Sequence, residues 1–165
     1  MSGQMRRRSL HAFAAGIVMI MCGGVVGLAQ SKDPAYGVWK LNLTKSKYSP
    51  GPAPKEMTVT IEAAGPGRKV TVNGVAGDGT PMNWGYSGNF DGKDNRVTGE
   101  NPDADMVILK RINANAVRTT FKKAGKRTLV NGVSVSSDGK TLAVASSGVN
   151  AKGQTVKNTM VFDKQ

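Results

Sequence analysis

Beyond residue 30 no stretch of this chain carries apolar residues at helical spacing over three turns. Apolar and polar residues alternate instead in short runs, and this alternation constrains the fold more than any other feature. In EMTVTIEA, Met57, Val59, Ile61 and Ala63 share one face while Thr58, Thr60 and Glu62 share the other. RKVTVNGV sets Val70 and Val72 against Lys69 and Thr71, and PMNWGYSG sets Met82, Trp84 and Tyr86 against Asn83, Gly85 and Ser87. AVRTTFKK, LVNGVSVSS, TLAVASS and TVKNTMVFDK repeat the pattern through Val117 and Phe121, Leu129 and Val133, Leu142 and Val144, and Val156, Met160 and Phe162. Only DMVILKRI, Asp105 to Ile112, is apolar on both faces, which predicts a strand covered on both sides.

Between these runs stand AAGPGR, AGDGTP, NFDGKDN, NPDAD, INANA, KKAGK, SSDGK and NAKGQ. Each offers Gly, Asn or Asp where a hairpin needs positive φ or a side-chain cap. Short loops between successive strands favour antiparallel neighbours, and the runs predict nine or ten strands. A wet face and an apolar face on every strand lead either to a closed barrel, which has no edges, or to a two-sheet sandwich. Greek-key sandwiches need long crossing connections, and the one long connection here is TKSKYSPGPAPK, Thr44 to Lys55. Its Pro50, Gly51, Pro52 and Pro54 predict an extended segment rather than helix. The expectation is all-β: an antiparallel up-and-down β-barrel of nine or ten strands with this Pro-rich loop at 44–55.

The N-terminus has its own logic. Arg6, Arg7 and Arg8 precede an uncharged apolar run from Leu10 to Leu28, and Gly27 and Ala29 place small residues where a signal peptidase reads. This is the layout of a secretory signal peptide over residues 1–29, and it predicts a secreted or periplasmic protein of bacterial type. A retained anchor is the alternative, because the run is almost long enough to span a bilayer. Removing 29 of the 165 residues leaves 136, the length of one domain, residues 30–165.

Cys22 and His11 fall inside that leader, so the remainder contains neither cysteine nor histidine. Disulfides, Cys or His nucleophile chemistry, His general-base catalysis and His/Cys metal sites are thereby excluded from it. No nucleophile–base pair is visible and no cofactor motif is present, so an enzyme is not expected. Glu100, Asp103 and Asp105 alternate as Ca²⁺-loop oxygens do, but the Gly of the sharp turn and the distal Glu are missing. A hairpin turn is the better reading of ENPDAD, and no metal is expected. The net charge of +12 falls to +9 without the three leader arginines, enough to draw the domain toward anionic surfaces and polymers.

YGVWKLN, at the head of the first run, resembles the Gly-x-Trp opening strand of the lipocalin and fatty-acid-binding (calycin) superfamily. TMVFDKQ at the end looks like the closing strand of the fatty-acid-binding branch, and small secreted bacterial lipocalin-like proteins are the nearest group suggested. The resemblance implies a barrel with Gly37 and Trp39 plugging one end and a small hydrophobic ligand in the lumen. It also marks departures. The helical lid of the fatty-acid-binding branch is replaced by the Pro-rich loop. The Arg-x-Tyr pair that holds a ligand carboxylate in that branch corresponds to Met160 and Phe162, which leaves an acid headgroup there unpaired. The Arg that stacks on the lipocalin indole is missing, since no Arg follows Arg127, so Lys157 or Lys164 takes its place.

Two functional readings follow. In the first, Met82, Trp84, Tyr86, Phe121, Met160 and Phe162 line a lumen that binds a small apolar molecule; the alternative for the same residues is an ordinary core stripe. In the second, the barrel is packed solid and works through the basic residues Arg118, Lys122, Lys123, Lys126 and Arg127 as a patch for an anionic envelope surface. Single-strand nucleic-acid sites interleave such charge with exposed aromatics, and only Phe121, on the apolar face, falls in the cluster, so nucleic acid is not expected. The chain is expected to be a monomer.

Overall fold

The computed structural model describes residues 33–165; the expected leader, its cleavage site and the alternative of a retained anchor lie outside the described residues. The described chain forms ten strands: β1 (Gly37–Leu41), β2 (Glu56–Ala64), β3 (Gly67–Val75), β4 (Pro81–Gly88), β5 (Asp91–Gly99), β6 (Met106–Asn113), β7 (Ala116–Lys123), β8 (Lys126–Val135), β9 (Thr141–Val149) and β10 (Thr155–Lys164). Each pairs with its neighbours in sequence, and β1 pairs with β10, so the sheet closes into an antiparallel up-and-down barrel. The closed antiparallel up-and-down barrel expected from the alternation is therefore present, and the sandwich alternative is not.

Closure depends on the two ends of the chain. Trp39 lies opposite Val59 of β2 on one side and Lys164 of β10 on the other, and Leu41 lies opposite Phe162. Pairing both terminal strands removes the exposed edges that an open sheet of this length would present. Inside, alternate residues carry the core: Val59 and Ile61, Val70 and Val72, Val107 and Leu109, Leu142 and Val144 are all buried. Alternation decides this because the side-chain period of a strand is two.

Three local expectations need correction. NFDGKDN, counted as turn punctuation, supplies at Asp91 the start of a strand that runs to Gly99. It was illegible because, within it, Val97 is the sole buried side chain, and its register against β6 shifts between Asp91 and Asp94. Strand β6 is not covered on both sides: Val107 and Leu109 face inward, while Met106 and Ile112 are exposed to solvent at 38% and 52%. Among the described residues no second layer lies outside this strand, so those two apolar side chains face solvent.

The third correction concerns the Pro-rich loop, which does not start extended. Leu43–Lys45 form a 3-10 turn capped by Asn42, whose side chain accepts from the Lys45 amide. The chain then runs along β10: Lys47 exchanges backbone hydrogen bonds with Thr159, and the Lys157 amide donates to the Ser49 carbonyl at 2.7 Å. From Pro50 it crosses one mouth of the barrel and packs on the β3–β4 turn. A Cβ on Gly77 would stand 2.5 Å from Pro52 Cγ and 2.6 Å from the Ala53 carbonyl oxygen, so only glycine allows that approach.

Candidate functional site

The barrel has two different ends. One is closed by Trp39, which is completely buried and whose Nε1–H donates to the Ala35 carbonyl at 2.8 Å. Lys164 Nζ stands 4.9 Å from the centre of the indole ring, so of the two lysines considered for that place it is Lys164 that occupies it. Gly37, at φ +138°, starts this strand; a Cβ there would meet Lys164 Cε at 3.0 Å, so a side chain would push the lysine off the ring. At the same end Phe90 lies beneath Arg111, with the guanidinium carbon 3.9 Å from the ring centre, and Arg111 Nη2 donates to Asp33.

The other end is bordered by the Pro-rich loop and by the turns that follow β3, β5, β7 and β9. Between the ends the interior is hollow, with a cavity of about 940 Å³ reaching from the core to this rim. Packing the lumen solid would need large side chains. Aromatic residues make up only 5% of the chain, and Val, which does not reach the axis of a ten-strand barrel, is the commonest buried residue. A second concavity of about 300 Å³ lies over β1 to β3 around Val38, Lys40 and Glu56, and its lining carries no aromatic residue.

Met82, Trp84, Tyr86, Phe121, Met160 and Phe162 all line the main cavity. Three of them form one cluster: Trp84 stacks on Tyr86 at 6.4 Å, and Phe121 meets both rings edge-on at 5.9 and 6.2 Å. Trp84 sits opposite Val72 of β3 and Gly99 of β5; a Cβ on Gly99 would stand 2.3 Å from the Asn83 carbonyl oxygen, so glycine is what lets β5 close on β4 there. Met82, Trp84 and Met160 are half-buried, whereas Phe162 is 1% exposed and belongs to the packed lower part.

The basic residues are divided. Lys122 lies opposite Arg127, and Lys123 opposite Lys126, across the β7–β8 hairpin. Lys122 Nζ is held 2.9 Å from Asp94, and Lys123 lines the cavity rim with its Nζ donating to the Asn101 carbonyl. Arg118, Lys126 and Arg127 are exposed. The acids of the 100–105 turn serve neighbouring backbone: Asp103 Oδ1 accepts from the Ala151 amide and Asp105 Oδ2 from the Ala124 amide. Those bonds tie the rim turns to one another.

Several cavity residues went unnoticed in the sequence. Thr119, Asn131, Ser146 and Asn158 lie directly opposite one another on β7, β8, β9 and β10, forming an inward polar row across four strands. Thr119 Oγ1 and Asn131 Oδ1 are buried without a hydrogen-bond partner, and so is the Tyr48 hydroxyl, whose pKa burial pushes up to about 12. Arg68 is also turned inward and is 1% exposed. The signal for each was available: Thr119 falls in phase with Val117 and Phe121, Asn131 with Leu129 and Val133, and Arg68 with Val70 and Val72. A polar residue on an apolar face is the informative exception.

No family profile matches the chain, and no curated protein matches its sequence. Among solved structures, zebrafish ileal bile acid-binding protein complexed with cholic acid is similar at a TM-score of 0.47 and 11% identity, over 80% of this chain and 99% of that one. The barrel assignment rests on the closed order of ten strands itself.

Proposed function

We propose that the protein binds a small, mainly apolar molecule non-covalently inside the barrel. The observation that carries this reading is the cavity of about 940 Å³ walled by Trp84, Tyr86 and Phe121. Its volume falls within the range of about 300–1,000 Å³ in which ligand pockets bury most of a small molecule, and its aromatic and aliphatic wall faces a polar row on β7 to β10, with charged side chains gathered at the rim. Burial of the ligand's apolar surface supplies the driving force, about 25 cal/mol for each Å² removed from water. The protein acts as a carrier or sequestering module rather than as an enzyme, and the Arg-led apolar leader sends it to the envelope or the exterior. The exposed Arg118, Lys126 and Arg127 then bias its encounters toward anionic surfaces, as a secondary role.

Titration with a panel of lipids, haem and quinone-like compounds tests the reading through tryptophan emission. Binding is expected to shift the emission of the wild type and of Trp39→Phe, and to leave Trp84→Phe silent, because only Trp84 faces the cavity. A panel that moves neither the emission nor the melting temperature removes the support for a ligand.

A further inference from the structure

Arg68 is the second residue of β3, flanked by Ala63 on β2 and Gly88 on β4. Its side chain enters the barrel at the closed end, where Ala63 is small and the space beside Gly88 is taken by the neutral Asn95 amide. Its Nε and Nη1 are buried and have no hydrogen-bond partner among the described residues. The Phe90 ring, 5.8 Å from the guanidinium carbon, offsets part of the charge. Among the described residues no carboxylate does so. Asp33 is taken by Arg111, and the acids that line the cavity, Asp78, Glu100, Asp103 and Asp105, belong to the rim turns at the opposite end.

A guanidinium cannot shed its proton, so it cannot escape burial by becoming neutral as a lysine can. An unpaired charge in such a place is strongly unfavourable, and the cavity in front of it is where a compensating anion fits. We propose that Arg68 is the anchor for the anionic head of an amphipathic ligand, an oxyanion such as a carboxylate or phosphate. The ligand enters head first, its head reaches the closed end, and its apolar body lies along Trp84, Tyr86 and Phe121 toward the Pro-rich mouth. This rests on the cavity-binding reading and adds the ligand's charge and direction. It also reverses the expectation drawn from Met160 and Phe162: the acid partner is missing from β10 and present on β3. From Arg68 to Val75 the strand makes seven steps, roughly 18 Å along a tilted barrel axis, which suits a chain of medium length.

Calorimetric titration of the full chain with dodecanoate, dodecyl phosphate and dodecanol separates the outcomes, since the three share a tail and differ in the head. The wild type is expected to bind one of the two anions at least tenfold tighter than dodecanol, and the tighter one identifies the head. The preference should survive 1 M salt, because a buried pair is little screened while binding to the exposed arginines and lysines is not. Arg68→Met is expected to bind the anions no better than dodecanol while keeping dodecanol affinity, and Arg68→Lys to keep part of the preference. The wild-type comparison stands even if Arg68→Met fails to fold. Equal binding of all three amphiphiles overturns the Arg68 anchor and leaves the cavity reading intact, as does an anion preference that persists in Arg68→Met or vanishes in salt. Binding of none of them removes both.

Discussion

Trp39 and Trp84 allow a test in which the same substitution gives two different answers. Trp39→Ala deletes a fully buried indole, its hydrogen bond to Ala35 and its contact with Lys164. The lost burial is worth about 3 kcal/mol, the buried hydrogen bond about 1 kcal/mol and the cation–π contact about 0.5 kcal/mol. Together they predict a loss of about 4.5 kcal/mol, within the range measured for large aromatic deletions in cores. Trp84→Ala removes a half-buried ring whose place simply joins an existing void, so no new cavity term arises. Its main loss is the pair of contacts with Tyr86 and Phe121, about 1–1.5 kcal/mol. Urea unfolding of both variants, with m-values equal to the wild type's, measures the difference directly. If Trp84→Ala costs as much as Trp39→Ala, the interior is packed around Trp84, and the distinction between a plugged end and a hollow lumen fails.

Other predictions concern the loop, the polar row and acid stability. Gly77→Val should destabilise the barrel by about 1–3 kcal/mol by forcing the Pro52–Ala53 segment away from the mouth, and should speed ligand release; unchanged stability and exchange would show that the contact is not tight. Thr119→Val replaces a buried hydroxyl without a partner by a methyl group of the same shape, so the ligand-free protein should gain about 1 kcal/mol, and a thermal scan showing a loss instead would mean that the hydroxyl is satisfied in solution. The Asp163 carboxyl is held below the usual carboxylate range, first by the Asn42 amide at 2.6 Å and then by Lys45 at 3.2 Å. Because the folded value is the lower one, this stabilisation is complete above the unfolded value of about 3.9 and is lost as pH falls through the folded value. Asp163→Asn should therefore flatten the fall in melting temperature on acidification, and an unchanged slope would dissociate the 3-10 turn from this carboxylate.

Much of the barrel was legible because a strand's face is a local property. Val59 and Ile61 point inward for the same reason that Thr58 and Thr60 do not, and no knowledge of their partners is needed. Where the local signal was thin the reading failed. Strand β5 has one buried residue, and its Gly92 and Asp94 read as a turn; its pairing to β4 through Gly85, opposite Thr98, is what makes it a strand. Ile108 and Ile112 of β6 looked like a second buried face, although among the described residues no second layer lies outside this strand.

Alone, the sequence determined the antiparallel alternation, the short turns, the place of Trp39 at the head of the first strand, and the absence of cysteine and histidine beyond residue 30. These depend on residue type and spacing along the chain. Tertiary structure alone decided that ten strands close with more interior than their valines fill, and that Arg68 faces that space without a counter-charge. It also decided that Thr119, Asn131, Ser146 and Asn158 stand in one row, because that requires the register of four strands at once. Depth, register and emptiness are properties of the closed circle, and no single strand carries them.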